Sequence, residues 1–117
     1  MGMTHPSDPR HTDPHKAVDF MVATAGEYAK AKGDRIYLEH FRKSKKALLM
    51  AMCKESAVNA REQFAYAHAE YLEVLEGIRA AVEIEEALLW KLRAAQARLD
   101  VWRSQEASNR GMDRAMQ

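Results

Sequence analysis

The sequence predicts an all-α protein: an elongated antiparallel helical hairpin, coiled-coil-like, with a short N-terminal helix and a flexible N-terminal arm. Three observations carry this. All three prolines (Pro6, Pro9, Pro14) lie within the first fourteen residues, so 103 consecutive residues lack the strongest helix breaker. Alanine, the best helix former, supplies twenty of the 117 residues. Between Tyr71 and Trp102 apolar side chains recur at alternating spacings of four and three, the period of one helix face. The length suits a single domain.

Residues 1–15 hold the prolines, three histidines (His5, His11, His15) and two Asp-Pro steps, with little to bury, and read as the flexible arm. From Lys16, Val18, Met21, Val22, Ala25 and Ala29 form one apolar stripe, giving a first helix over 16–32. Gly33 is placed to end it and Asp34 to cap the next. The second helix is expected over 34–64, with Leu38, Phe41, Leu48 and Met52 on one face, Lys45 as the polar exception, and Leu49, Cys53, Ala57, Ala60 and Phe64 broadening the stripe. No breaker stands between Phe64 and Glu70, yet the apolar phase must shift there if both flanks are to face one core. The turn is therefore set at Tyr66–His68, with one continuous rod as the alternative.

The third helix is expected over 69–108, roughly 60 Å at ~1.5 Å per residue. Tyr71, Leu75, Ile78, Val82, Glu85, Leu89, Leu92, Gln96 and Leu99 make one row, seven of nine apolar. Val74, Ile78, Ala81, Glu85, Leu88, Leu92, Ala95, Leu99 and Trp102 make a neighbouring row, apolar at eight of nine. Together they are wider than a two-stranded seam and suit packing against two or more helices. This helix outruns the second, so the first helix or another subunit must cover its end, and a homo-oligomer is expected. Residues 16–110 form the helical domain; Ser108-Asn109-Arg110-Gly111 ends it, leaving 111–117 as a frayed tail.

A single cysteine, Cys53, excludes an intramolecular disulfide framework and a CxxC metal site. It ends the longest apolar run, the seven residues Ala47 to Cys53, far below the ~18–20 that span a bilayer. The first residues lack a secretion pattern. A cytoplasmic setting without membrane contact is expected.

Charge is segregated although the net charge is only +1. Lys30 to Lys46 holds seven basic and two acidic residues, 47–87 holds three basic residues and eight glutamates, and 88–104 holds four basic residues and Asp100. A turn centred near Ala67 would set 30–46 opposite 88–104 and place both basic stretches at one end. Two readings follow. Arg35, Arg42, Lys43, Lys45, Lys46, Lys91, Arg93 and Arg98 would grip a phosphate backbone, with Trp90 as a stacking platform. Alternatively the same residues would meet an acidic protein surface, or basic and acidic ends would pair head to tail.

Residues with catalytic chemistry are sparse. Glu83, Glu85 and Glu86 are the densest carboxylate group, but no Glu-x-x-His motif accompanies them as in di-iron bundles. Glu85 lies on both apolar rows and needs a partner, which the hairpin supplies as Lys45 or Lys46. His11 and His15 have ligand spacing, but Pro14 between them argues against a helix there. His40 and His68 read as surface or turn residues. Cys53 has Lys54 beside it and no histidine within helical reach, and reads as an inert packed thiol. Trp102 extends the core row. No phosphate loop, nucleophile elbow or zincin motif is present. Neither enzyme activity nor a cofactor or metal is expected.

The stretches Arg35-Ile36-Tyr37-Leu38-Glu39-His40-Phe41-Arg42-Lys43-Ser44-Lys45-Lys46-Ala47-Leu48-Leu49-Met50, Leu75-Glu76-Gly77-Ile78-Arg79 and Ala97-Arg98-Leu99-Asp100-Val101-Trp102-Arg103-Ser104-Gln105-Glu106-Ala107-Ser108-Asn109-Arg110 resemble small α-helical proteins encoded by tailed phages and prophages. The resemblance covers about residues 34 to 110 and transfers no residue roles. It implies a bacterial host cell and accessory duties around phage DNA metabolism or host defence. The expected function is a non-enzymatic interaction protein that contacts DNA through the basic end. The alternatives are an adaptor or inhibitor of a host protein and a self-assembling structural module.

Overall fold

The computed structural model describes residues 13–116, which form three α-helices and no strand: α1 Pro14–Met52, α2 Val58–Ala67 and α3 Ala69–Ala115. The fold class and the number of helices are those expected, and the boundaries differ. The expected arm loses its last residues to α1, because Asp13-Pro14 is a helix start. The Asp13 carboxylate accepts from the backbone N–H of His15 at 2.9 Å and of Lys16 at 3.3 Å, and Pro14 fills the first helical position, where a missing N–H costs nothing. His5 and His11 lie outside the described residues.

The break expected at Gly33 is absent. No glycine among the described residues has a positive φ, and a glycine inside a helix costs only about 1 kcal/mol relative to alanine. Good helix formers flank it, and Asp34, instead of capping a new helix, accepts from Lys30 Nζ at 2.8 Å across the glycine. Gly111 likewise lies inside α3, so the expected end at 108–111 is not there either.

The second helix instead stops at Met52 and α2 begins at Val58, with no proline or glycine in between. Ala57 precedes α2 in extended backbone (φ −72, ψ 133) and gives no side-chain cap. The cause is tertiary. Arg61 on α2 donates from Nε to the Met50 carbonyl at 3.1 Å, which also accepts from the backbone N–H of Cys53 at 3.2 Å, so the last turn of α1 is tied to α2. Leu49 is 1% exposed and clusters with Ala65 and Tyr71, with Met50 packed against them. Burying a leucine side chain this fully is worth about 1.5–3 kcal/mol.

A helix break stands at His68, within the expected Tyr66–His68, but the chain reversal expected there lies instead between α1 and α2. His68 adopts extended backbone (φ −70, ψ 138) between α2 and α3. Its Nδ1 accepts from the backbone N–H of Glu70 at 3.1 Å, and its carbonyl accepts from Tyr71 N and Leu72 N, both at 3.1 Å. The imidazole thus caps the N-terminus of α3.

The chain divides into two compact units, 28–87 and the union of its N-terminal part up to Glu27 with residues from Leu88 onward. In the unit 28–87, Tyr28, Ala31, Arg35, Leu38, Arg42, Lys45 and Leu49 of α1 recur at threes and fours and are all buried or half-buried. On α3 Tyr71, Val74, Ile78, Ala81 and Glu85 are likewise buried or half-buried, and Arg35 with Glu85 and Leu49 with Tyr71 join the two helices. In the other unit the enclosed positions are Met21 and Thr24 of α1 with Leu92, Ala95, Leu99 and Trp102 of α3. The α3 members belong to the second of the two rows read from the sequence. Leu48 and Met52, expected on the core face of α1, are about three-fifths exposed, because the seam runs through Lys45 and Leu49. No helix among the described residues is long and apolar enough to cross a membrane.

Two predictions follow from the helix boundaries. A Cβ at Gly33 would meet nothing within 4 Å, so Gly33→Ala is expected to raise stability by about 1 kcal/mol. A higher midpoint in thermal unfolding checks this, and a lower one would place a break at Gly33 after all. His68→Ala removes the α3 cap and is expected to cost about 1 kcal/mol, whereas His68→Asn keeps an acceptor and should lose little. The two midpoints, compared with the parent, decide it.

Candidate interaction surfaces

Four of the seven cations in the basic stretch of α1, Lys30, Arg35, Lys45 and Lys46, are matched by carboxylates of their own unit. Arg35 donates from Nε to both oxygens of Glu85 at 2.7 and 2.9 Å and from Nη1 to Glu39 at 3.0 and 3.1 Å. Hydrogen bonding to Glu85 first, and then to Glu39, pushes the Arg35 pKa further up. Lys45 pairs with Glu70 at 3.4 Å. Lys46 pairs with Glu62 at 3.7 Å and lies 4.7 Å from the centre of the Tyr66 ring. The Tyr66 side chain is the largest reason that the Lys46 pKa is raised, and the charge of Glu62 adds to it.

These pairs fix the register, and it is not the one expected. The chain positions midway between Arg35 and Glu85, and between Lys45 and Glu70, fall at 57–60 rather than at 67. The hairpin folds about the start of α2, because the chain leaves α1 at Met52 and not at Phe64. Residues 30–46 therefore meet the acidic segment 62–85. The partner of Glu85 is Arg35, not Lys45 or Lys46. Glu85 is almost enclosed, its side chain 10% exposed against 22% for Arg35.

Of the other residues singled out from the sequence, Arg42 occupies a half-buried seam position and Lys43 is exposed; neither forms an ion pair among the described residues. Lys91, Arg93 and Arg98 lie exposed on α3 in the other unit, also without an ion pair among the described residues. Trp90 is 60% exposed and Arg93 stacks on it, its guanidinium carbon 4.8 Å from the ring centre. Trp102 is half-buried, as the core row requires.

No family model, curated protein or solved structure matches this chain. Among the described residues no three or more His, Cys, Asp or Glu side chains are grouped to hold a metal ion. Cys53 is a free, half-buried thiol at the break after α1.

Sequence reasoning passed over a surface opposite the seam of α3. In the unit 28–87, Leu72, Glu76, Arg79, Glu83 and Glu86 recur at fours and threes and every one is exposed. In the other unit Trp90, Ala94, Ala97 and Val101 do the same. Arg79 donates from Nε to Glu76 at 2.8 Å and from Nη1 to Glu83 at 2.7 Å. The Arg79 guanidinium, by hydrogen bond and then by charge, holds the Glu76 carboxyl below its usual range. The spacing was in the sequence, but attention to the apolar rows left it unread.

Replacing either member of the Arg35–Glu85 pair strands the other in the seam. Arg35→Leu and Glu85→Leu are each expected to lower the thermal midpoint. The double variant should recover much of the loss, because two leucines suit a seam position. Losses that simply add in the double variant would show that the two side chains do not interact.

Proposed function

We propose that this protein is a non-enzymatic helical interaction module that works by docking helix faces on another protein, within a phage-infected or prophage-bearing bacterial cell. The observation that carries this reading is that more than half of the cations of the basic stretch are paired within their own unit. Arg35, Lys45 and Lys46 are engaged by carboxylates of their own unit, and the unit 28–87 holds ten basic and ten acidic residues. A phosphate backbone is held by cations that release its counterions, and cations already paired contribute less. The same unit leaves Tyr37, Leu48, Met52, Val58, Leu72 and Ile84 each more than half exposed. Apolar groups interleaved with balanced charge describe a protein-facing surface better than a nucleic-acid groove. The resemblance to phage-encoded helical proteins supports the cellular setting.

Nucleic-acid binding is the second reading, and one observation favours it: exposed Trp90 with Arg93 stacked on it, next to Lys91 and Arg98. Fluorescence polarisation with labelled single-stranded and duplex DNA separates the two. Protein docking predicts that any binding at low salt is lost by about 0.15 M salt, where exposed charges are screened beyond ~8 Å. Binding that persists there, and falls in Trp90→Ala and Arg93→Ala, would replace protein docking with nucleic-acid binding.

A further inference from the structure

The outer surface of α3 carries two half-faces of opposite character. In the unit 28–87 it presents Glu73, Glu76, Glu83 and Glu86 against a single cation, Arg79, already bonded to Glu76 and Glu83. Leu72, 52% exposed, stands at its start. In the other unit the same helix presents Trp90 and Val101, both half exposed or more, with Lys91, Arg93 and Arg98 around them. Each half-face supplies what the other lacks: an excess of carboxylates, four against one cation, on one, and guanidinium and ammonium groups beside an exposed aromatic ring on the other. Exposed Trp and Arg side by side are the residues that dominate protein interfaces when covered.

Both half-faces belong to one unbroken helix. A nucleic acid would satisfy the basic half and be repelled by the acidic half. We infer that a second copy of this chain is the partner, the Trp90–Arg93–Arg98 face of one molecule docking on the Glu73–Glu83–Glu86 face of another. This rests on the protein-docking reading and names the partner.

Sedimentation of the full chain at low and high salt, with charge-reversed variants, tests it. The expected result is a mass of at least twice 13.3 kDa that falls at high salt. Arg93→Glu/Arg98→Glu and Glu83→Lys/Glu86→Lys should each sediment as the 13.3 kDa monomer, and an equimolar mixture of the two should associate again. All four side chains are exposed, so helix content by circular dichroism should match the parent. Trp90→Ala should weaken association with helix content unchanged. A parent chain that is monomeric at every salt concentration, variants that associate like the parent, or a mixture that stays monomeric would each overturn the inference. A monomeric parent would leave the protein-docking reading standing, since that reading fails on DNA retention at physiological salt and not on mass.

Discussion

Arg35 brings a full positive charge into the seam between α1 and α3, and its pairing with Glu85 is the constraint on which the register depends. An enclosed carboxylate or guanidinium without a partner is far more costly than a pair, so the two helices must meet where these side chains meet. The pair alone does not decide between registers. Arg42 lies one heptad beyond Arg35 on the same seam, and sliding α1 by a heptad would bring it toward Glu85. That slide would also carry Lys45 away from Glu70 and pull Leu49 out of its cluster with Ala65 and Tyr71. The ion pair restricts the register to a few positions and the apolar cluster at the end of α1 selects one.

That cluster exists because α2 is there, and α2 exists because α1 stops at Met52. Nothing local forces the stop. The Cys53–Ala57 segment has no proline, glycine or capping side chain, and its conformation is held by Arg61 reaching the Met50 carbonyl and by Leu49 finding cover. Interactions of this kind join residues that are distant along the chain, which is why a reading of local spacing ran the helix through to Phe64. The opposite error at Gly33 has the same root. A penalty of about 1 kcal/mol for one glycine is small beside the packing of a helix on both sides of it, so a residue that often ends helices is carried inside one. Where local signals and tertiary packing agree, the sequence was legible: the α3 row from Val74 to Trp102, the start of α3 after a break at His68, and the exposure of Trp90 beside an enclosed row.

The candidate surface was less legible than the fold because it depends on which charges face each other, and counting along the chain cannot supply that. Fold about Ala67 and the molecule has a basic end. Fold about 57–60, and the cations of α1 meet the glutamates of α2 and α3. A shift of seven to ten positions in the centre of a hairpin thus turns a concentrated charge into a series of pairs. The residues singled out were real features of the sequence, but Arg35, Lys45 and Lys46 proved to be internal partners, while Trp90, Lys91, Arg93 and Arg98 face solvent.

The distribution of apolar side chains joins the fold to the proposed docking. In the sixty residues from 28 to 87 the buried apolar side chains are Ala31, Leu49, Ala65 and Tyr71, two of them alanine. Domains of this size have difficulty offsetting the conformational entropy lost on folding and draw on staples such as disulfides, metals or association. The one cysteine forms no disulfide within the chain, and the long helices instead leave leucine, valine and aromatic side chains facing outward. Docking of those faces would add buried area where the internal core is thinnest, so the proposed interaction and the stability of the helices draw on the same side chains. Charge then has a separate task. Exposed ion pairs add little stability, but like charges set against each other are costly, so in the proposed docking the acidic and basic half-faces would select the partner and the alignment, while the exposed apolar residues beside them would supply the binding.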